Sequence, residues 1–456
     1  MNYFKTYSKH YTSILRLGLP LLLGQLGMIV TGYADTIMVG NYSTEALASS
    51  AFVNNALVFV IMLGLGFSYG LTPMIGSLYS KNDTKRMGEL VRNGVIVNFL
   101  YTLAWCVPML ILYFNIHNLG LPENLLPTIR PYYLLIFFSV IPLGIVNALR
   151  QFTDAINDTK VSMYILLAGN ILNIIFNYLL IYGKCGMPEL GLNGAGISTL
   201  MSRVFMLVAY AVYVFFAPRY SHYRKAIVSG STSGQDMRSI TATSLPISLQ
   251  LGMETAIFTI ASVFAGWLGE STMAAVQIVN TIAQIGFMIY YSLGAAASIK
   301  MSNHYGIHDY VGVKQIAHAA YMLTLASVVL ACSIFIIFGE QMAGLFTRDA
   351  AVVALVTAHM LHLTLYQIGD ATQIAYANAL RGIAHVKPIL KYAFISYIVV
   401  GIPLMYVLCF TLNLRMAGIY YAYFFALLGA GLLFSHAFFR RMASLTADGA
   451  AHTTEI

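Results

Sequence analysis

Apolar runs of about 20 residues recur along the whole chain, each long enough for a helix to cross a bilayer. Twelve are read, at roughly 14–39, 46–72, 91–114, 131–151, 161–182, 194–217, 243–268, 275–299, 316–338, 354–380, 390–412 and 416–439. Within several runs the polar residues fall on one helical face. The tenth carries His359, His362, Tyr366, Asp370 and Gln373 at steps of three or four, and the seventh carries Thr243, Pro246, Gln250 and Glu254. The eighth offers Gln277, Asn280 and Gln284, the fifth Asn170, Asn173 and Asn177, and the first Thr31 and Asp35. The pattern predicts an all-α integral membrane protein of twelve transmembrane helices.

The runs are duplicated. At a constant offset of about 226 residues, Pro20 pairs with Pro246, Asn54 with Asn280, Met62 with Met288 and Tyr79 with Tyr305. GAGIS at 194–198 answers MAGIY at 416–420, with a small slip of register. Six spans per half is an even number, so both halves insert in the same orientation. They form two six-helix bundles related by an axis along the membrane normal. The expected organisation is an N-terminal lobe at 1–217, a cytoplasmic linker at 218–242 and a C-terminal lobe with a short tail at 243–456.

Composition agrees. The chain is 59% hydrophobic and 9% charged, with a mean hydropathy of +0.74, whereas soluble domains carry about 25% charged residues. The net charge of +8 is a matter of topology. With the N-terminus taken as cytoplasmic, twenty of the Lys and Arg residues fall on the cytoplasmic side and four, Arg130, Lys184, Arg348 and Arg415, on the other. This positive-inside bias places both termini in the cytoplasm and removes any need for a nucleic-acid partner. The remaining base, Arg203, lies inside the sixth span, and its role stays open. The first apolar run is too long for a signal peptide and lacks a small-residue cleavage site, so it is expected to stay as the first helix. Cys106, Cys185, Cys332 and Cys409 show no metal spacing, and most sit in apolar surroundings.

Three carboxylates lie deep in apolar runs: Asp35, Glu254 and Asp370. Intramembrane carboxylates are costly and mark ion or substrate paths. Single amides such as Asn280 and Gln25 have a second reading, as packing contacts between membrane helices. Each carboxylate lacks an acidic counterpart in the other half: Asp35 answers Ala261, Glu254 answers Met28 and Asp370 answers Gly144. The scaffold is duplicated, but the charge sites are specialised. His359 and His362 stand near the outer end of the tenth span, without the further ligands a zinc site needs.

The stretch PLLLGQLGMIVTGYADTIMVG, the fifth-span GNILNIIFNYLLIYG, the loop NALRGIAHVKP at 378–388 and the acids Glu254 and Asp370 resemble the MATE transporters (multidrug and toxic compound extrusion), in the NorM-like branch. The resemblance covers about residues 10–440. It implies antiport, in which small cationic or amphipathic drugs leave a bacterial cell across the cytoplasmic membrane as Na⁺ or H⁺ enters, with no cofactor. It assigns Glu254, Asp370 and Tyr366 to a cation site able to take Na⁺, beside which the eighth-span stripe sets Gln284 and Asn280. It assigns Asp35, Asn173 and Asn177 to ion coupling. A monomer is expected. The first half departs from the family pattern, reading RQFTDAINDTK where members show a glycine-containing turn.

Physical chemistry agrees with these assignments. A carboxylate in a low-dielectric cavity exchanges protons, and with amide oxygens it forms a hard-oxygen nest for Na⁺. Drug and ion need not meet if each stabilises a different state. Pro20 removes a backbone hydrogen bond and gives the first helix a place to bend, so it is the expected hinge. Four alternatives stand beside antiport. A major-facilitator exporter would carry a tighter signature than GSLYSKNDTKRMG, and a lipid-linked oligosaccharide flippase would carry more cavity cations than Arg203. An enzyme would need a catalytic constellation, and none stands out. A channel would need a repeated selectivity-filter segment.

Overall fold

The computed structural model describes residues 3–119 and 122–453. Residues 1–2, 120–121 and 454–456, which include both ends expected in the cytoplasm, lie outside the described residues. Among the described residues the regular structure is all helical. The N-terminal half runs through α1 (Tyr3–Tyr42), α2 (Thr44–Ser68), α3 (Leu71–Ser80), α4 (Thr84–Asn115), α5 (Leu126–Ala155), α6 (Thr159–Ile181), α7 (Leu192–Phe216) and α8 (Ser221–Ser229). The rest comprises α9 (Gly234–Trp267), α10 (Glu270–Gly306), α11 (Tyr310–Gly344), α12 (Ala350–Ala358), α13 (Met360–Gly382), α14 (Lys387–Ala393), α15 (Ile402–Tyr406) and α16 (Arg415–Thr453). Two π-wound stretches, Phe394–Gly401 and Val407–Thr411, flank α15.

Eleven helical segments among the described residues are long and apolar enough to cross a membrane, and α12 with α13 makes the twelfth, bent by 46° at His359. The expected all-α architecture of twelve spans is the one observed. Several helices overshoot their apolar runs, because hydropathy marks the lipid-facing part and the helix continues until a cap ends it. The loop before α4 and the loop before α11 close alike. Asn82 and His308 take positive φ of 55° and 60°. The carboxylates of Asp83 and Asp309 then accept the N–H groups of Arg86 (3.0 Å) and Gly312 (2.8 Å), N-capping α4 and α11. Both pairs obey the 226-residue offset, so the duplication extends to turn geometry. Asp309 also meets His304 Nδ1 at 2.7 Å. Burial opposes its charge, but the Gly312 N–H and the His304 ring outweigh burial and hold the carboxyl below the usual carboxylate range.

The chain divides into two compact units, Leu23–Ser248 and Met1–Leu22 with Leu249–Ile456. Each contains most of six spans. The divisions fall inside α1 and α9, in each case two residues beyond the interior prolines Pro20 and Pro246. The leading segment of α1 is therefore counted with the C-terminal spans, and the leading segment of α9 with the N-terminal ones.

In the Leu23–Ser248 unit, one apolar cluster gathers Val53, Leu57, Ile129, Tyr133 and Ile181, and another gathers Phe67, Leu71, Phe152, Tyr220 and Ile240. The segment expected as a linker, 218–242, is ordered here. Its helix α8 lies so close to α4 that a Cβ on Gly88 would meet the Ala226 Cβ at 2.6 Å. Asp236 accepts from Arg86 Nη1 (2.9 Å) and Asn93 Nδ2 (3.3 Å), fastening the start of α9 to α4. Its polar composition reads as a linker, but the partners that order it lie some 130–150 residues away in sequence.

Candidate functional site

The three intramembrane carboxylates fall into two sites, one in each unit. In the Leu23–Ser248 unit, α1 approaches α6 through Gly27, where a Cβ would stand 2.7 Å from Leu167 Cδ2 and 2.9 Å from Asn170 Nδ2. This close approach brings the half-buried Asp35 to α6. There Asn177 Nδ2 donates to Asp35 Oδ1 and lies 3.3 Å from Asn173 Oδ1. Asn173 and Asn177 are buried, and Asn177 Oδ1 and Asn170 Nδ2 have no hydrogen-bond partner. Unspent donors and acceptors inside a membrane protein are costly, and here they lie on the α6 face that α1 approaches at Gly27 and Asp35. Arg203 donates to Ser139 Oγ (2.7 Å) and is close enough to Asp35 for their charges to interact. Asp35, Asn173 and Asn177 thus come together as expected, with Arg203 as a neighbour.

The second site lies within Leu249–Ile456. Glu254 on α9 accepts from Gln250 Nε2 one turn earlier (2.6 Å) and from Gln373 Nε2 on α13 (3.2 Å). The same Gln373 nitrogen donates to Asp370 Oδ1 (3.2 Å), so a single amide bridges the two carboxylates. Tyr290 on α10 donates to the other oxygen of Asp370, and Tyr397 donates to Gln373 Oε1. Arg381, at the end of α13, donates to Gln250 Oε1 (2.5 Å). Every member of this network is buried: Gln250 and Gln373 are fully enclosed, and Glu254 and Asp370 are 6% and 2% exposed. Burial of two carboxylates is tolerable here because their oxygens are met by amide and phenol donors and a guanidinium is nearby.

Tyr366 stands one turn before Asp370, stacked on Tyr420 (5.9 Å between ring centroids) and tilted against Tyr423 (5.5 Å). Its ring forms an aromatic wall beside the acids. Gln284 and Asn280 do not join this network. Gln284 is exposed, and Asn280 is half-buried with its Oδ1 unpartnered. The reason is helical phase. Gly286, two residues beyond Gln284, is one of the positions on α10 that meet α13, where its Cβ would come within 2.9 Å of Gln367 Nε2. The tenth-span stripe also divides. His359 sits at the break between α12 and α13 and lines a cavity of about 650 Å³ with Glu270 and Arg415. His362 packs beside it, with ring centroids 5.1 Å apart.

Three members of the network were not singled out from sequence: Tyr290, Tyr397 and Arg381. Arg381 reads as a cytoplasmic base because it ends an apolar run, yet it is 2% exposed. One signal did exist. The tetrapeptide Asn-Ala-Leu-Arg occurs at 147–150 and again at 378–381, and both arginines are buried. Among the described residues no group of three or more His, Cys, Asp or Glu side chains could hold a metal ion. Oxygen ligands for a monovalent cation are present at both sites.

The MatE family model matches residues 20–179 and 246–407, once in each half, the two matches starting at the same 226-residue offset. The chain belongs to the MatE family. It is a multi-pass membrane transporter of the NorM-like branch. Similar curated proteins include the multidrug resistance protein NorM of Vibrio cholerae, 28% identical over 89% of each chain. A probable multidrug resistance protein NorM of Geobacillus kaustophilus is 30% identical over 86% of each. Among solved structures, the Vibrio cholerae MATE transporter VcmN in its bent form superposes with a TM-score of 0.85 at 15% identity, over 97% of this chain and 99% of that one. A MOP superfamily transporter from Pyrococcus furiosus superposes at 0.85 with 18% identity, over 96% and 97%.

Proposed function

We propose that the protein is a multidrug efflux antiporter of a bacterial cytoplasmic membrane, acting as a monomer with both termini in the cytoplasm. It exports small cationic and amphipathic compounds in exchange for Na⁺ or H⁺. The observation that carries this reading is the pair Glu254 and Asp370, buried together and bridged by one amide nitrogen 3.2 Å from each. Two acids around one donor form a seat for a single positive charge, and the wall of Tyr366 adds a π-face that attracts organic cations. The multidrug-resistance names of relatives at 28% and 30% identity support the same substrate class.

Asp35, with Asn173 and Asn177, is the coupling site in this reading. It lies on α1 about four turns beyond Pro20, which cannot donate to the preceding turn and so lets the helix bend at low cost. Loading Asp35 with Na⁺ or H⁺ favours one bend of α1, and drug on the Glu254–Asp370 pair favours the other. Exchange then follows from differential affinity for two states. With the buried Arg381 set aside, nineteen bases against four support the assigned orientation.

The test is ethidium efflux from proteoliposomes under an imposed Na⁺ or H⁺ gradient, each applied separately. Asp370→Asn and Glu254→Gln are expected to abolish export of monovalent cationic dyes while the protein still reaches the membrane. Normal export in both variants would sink the cation-site assignment.

A further inference from the structure

We propose that the Gln373 side-chain amide is a reversible positioning element. It turns over when the Glu254–Asp370 pair is loaded and passes that event to Tyr397. The proposal rests on the reading of the pair as a cation site and deepens it.

An amide has one donor end and one acceptor end. In this structure the donor end faces both acids: Nε2 lies 3.2 Å from Glu254 Oε1 and 3.2 Å from Asp370 Oδ1. The acceptor end, Oε1, takes the Tyr397 hydroxyl. This orientation suits two ionised carboxylates with nothing between them, since the NH₂ group gives one hydrogen to each. It does not suit a loaded pair. A proton on Glu254 Oε1 or Asp370 Oδ1 sets a second donor against the Gln373 N–H, while the other two oxygens already accept from Gln250 and Tyr290; a Na⁺ ion there needs oxygen opposite it.

Turning the amide over resolves both conflicts. Oε1 then faces the loaded pair, as acceptor for a carboxyl proton or as ligand for Na⁺, and the NH₂ group faces Tyr397. The Tyr397 oxygen becomes an acceptor, and its hydrogen must go elsewhere. Gln250 does not take it, because its Nε2 already donates to Glu254 and its Oε1 is committed to Arg381. The change at the acids is therefore handed to Tyr397 and to the segment that carries it.

That segment, Phe394–Gly401, is π-wound. Such windings are rare and gather at functional positions. The titratable and charged groups facing the amide are Glu254 from α9, Tyr290 from α10, Asp370, Tyr366 and Arg381 from α13, and Tyr397 itself. Tyr290 is committed to Asp370 and Tyr366 to its ring stack. Arg381 reaches the acids through Gln250. Tyr397 is thus the hydroxyl that fixes which way the amide points.

The test uses the full-length protein in proteoliposomes and measures the H⁺ or Na⁺ concentration giving half-maximal dye export. Tyr397→Phe removes the hydroxyl that holds the unloaded orientation and leaves both acids in place. Loading becomes easier, so the midpoint is expected to fall about fivefold, which for H⁺ is about 0.7 pH unit to the alkaline side. In a Gln373→Met background the same substitution should have no further effect, because the element it acts on is gone. An unchanged midpoint in folded Tyr397→Phe, or full additivity in the double variant, overturns the proposal.

A second measurement does not depend on Tyr397→Phe folding. Difference infrared spectra of the wild-type protein on loading should show a perturbed glutamine carbonyl band that is missing in Gln373→Met, and absence of that band in the wild type also refutes the proposal. Loss of export in Glu254→Gln and Asp370→Asn with an unchanged Tyr397→Phe midpoint would refute the turning amide alone. Normal export in those two variants would refute the cation site itself.

Discussion

Asp35→Asn separates coupling from folding. The substitution keeps the shape of the side chain and an oxygen for Asn177 Nδ2, which donates to Asp35 Oδ1 in the native protein. What it removes is the charge. A hydrogen bond to a charged acceptor is worth about 2 kcal/mol and a neutral one about half of that, so the expected cost in stability is about 1 kcal/mol. Asp35 is only half-buried and loses no volume, so no cavity adds to this cost. The melting temperature should fall by about 2 °C. Transport should respond quite differently. A site without a titratable charge binds the driving ion equally in both states, and equal affinity shifts no equilibrium. The gradient-driven part of ethidium efflux should therefore vanish, while dye binding to the Glu254–Asp370 pair, measured by fluorescence in detergent, stays close to normal. Pumping at the native rate under an H⁺ or Na⁺ gradient would refute the assignment of coupling to Asp35. Joint loss of binding, transport and several degrees of melting temperature would show that Asp35 is structural.

Three further outcomes are expected. A cysteine introduced by Ser43→Cys should react with impermeant thiol reagents from outside the cell and one from Asn82→Cys should not; the reverse labelling overturns the orientation. Gly88→Leu should cost about 1–3 kcal/mol by overpacking against Ala226 and the Tyr223 carbonyl, and trypsin cleavage at Arg224 or Lys225 in inside-out vesicles should speed up; unchanged cleavage means that α8 is not held by this contact. Asp309→Ala removes the cap of α11 and should cost about 1 kcal/mol at neutral pH. Because the native carboxyl is held below its usual range, the cap's contribution is complete above about pH 4 and is lost as pH falls through the lowered native value. Melting curves of the two proteins should converge in acid, and a constant gap down to pH 2 would contradict this account.

Hydropathy and charge are local properties, and the features that depend on them were legible in the chain itself. The twelve spans, their duplication about the Pro20 and Pro246 positions, and the exceptional status of Asp35, Glu254 and Asp370 follow from composition within windows of about 20 residues. The fifth-span stripe also survived intact, because Asn173 and Asn177 share a face of one unbroken helix, and only the approach at Gly27 was needed to bring Asp35 to them.

Long-range pairing lies beyond any such window. Gln373 reaches Glu254 across 119 positions, and Arg381 reaches Gln250 across 131. Neither the burial of Arg381 nor the choice of Tyr397 as the partner of Gln373 follows from the neighbours of those residues. Helical phase decided against Gln284, since facing α13 is a property of the packed pair of helices. The 46° break at His359 has no proline or glycine to announce it, whereas the π winding around Tyr397 has Gly401 inside it and Pro403 just beyond as its local signature. The sequence places the acids in the membrane because burying charge is costly wherever it occurs. Which amide, phenol and guanidinium meet that cost depends on which helices touch, and that is settled by packing over the whole unit.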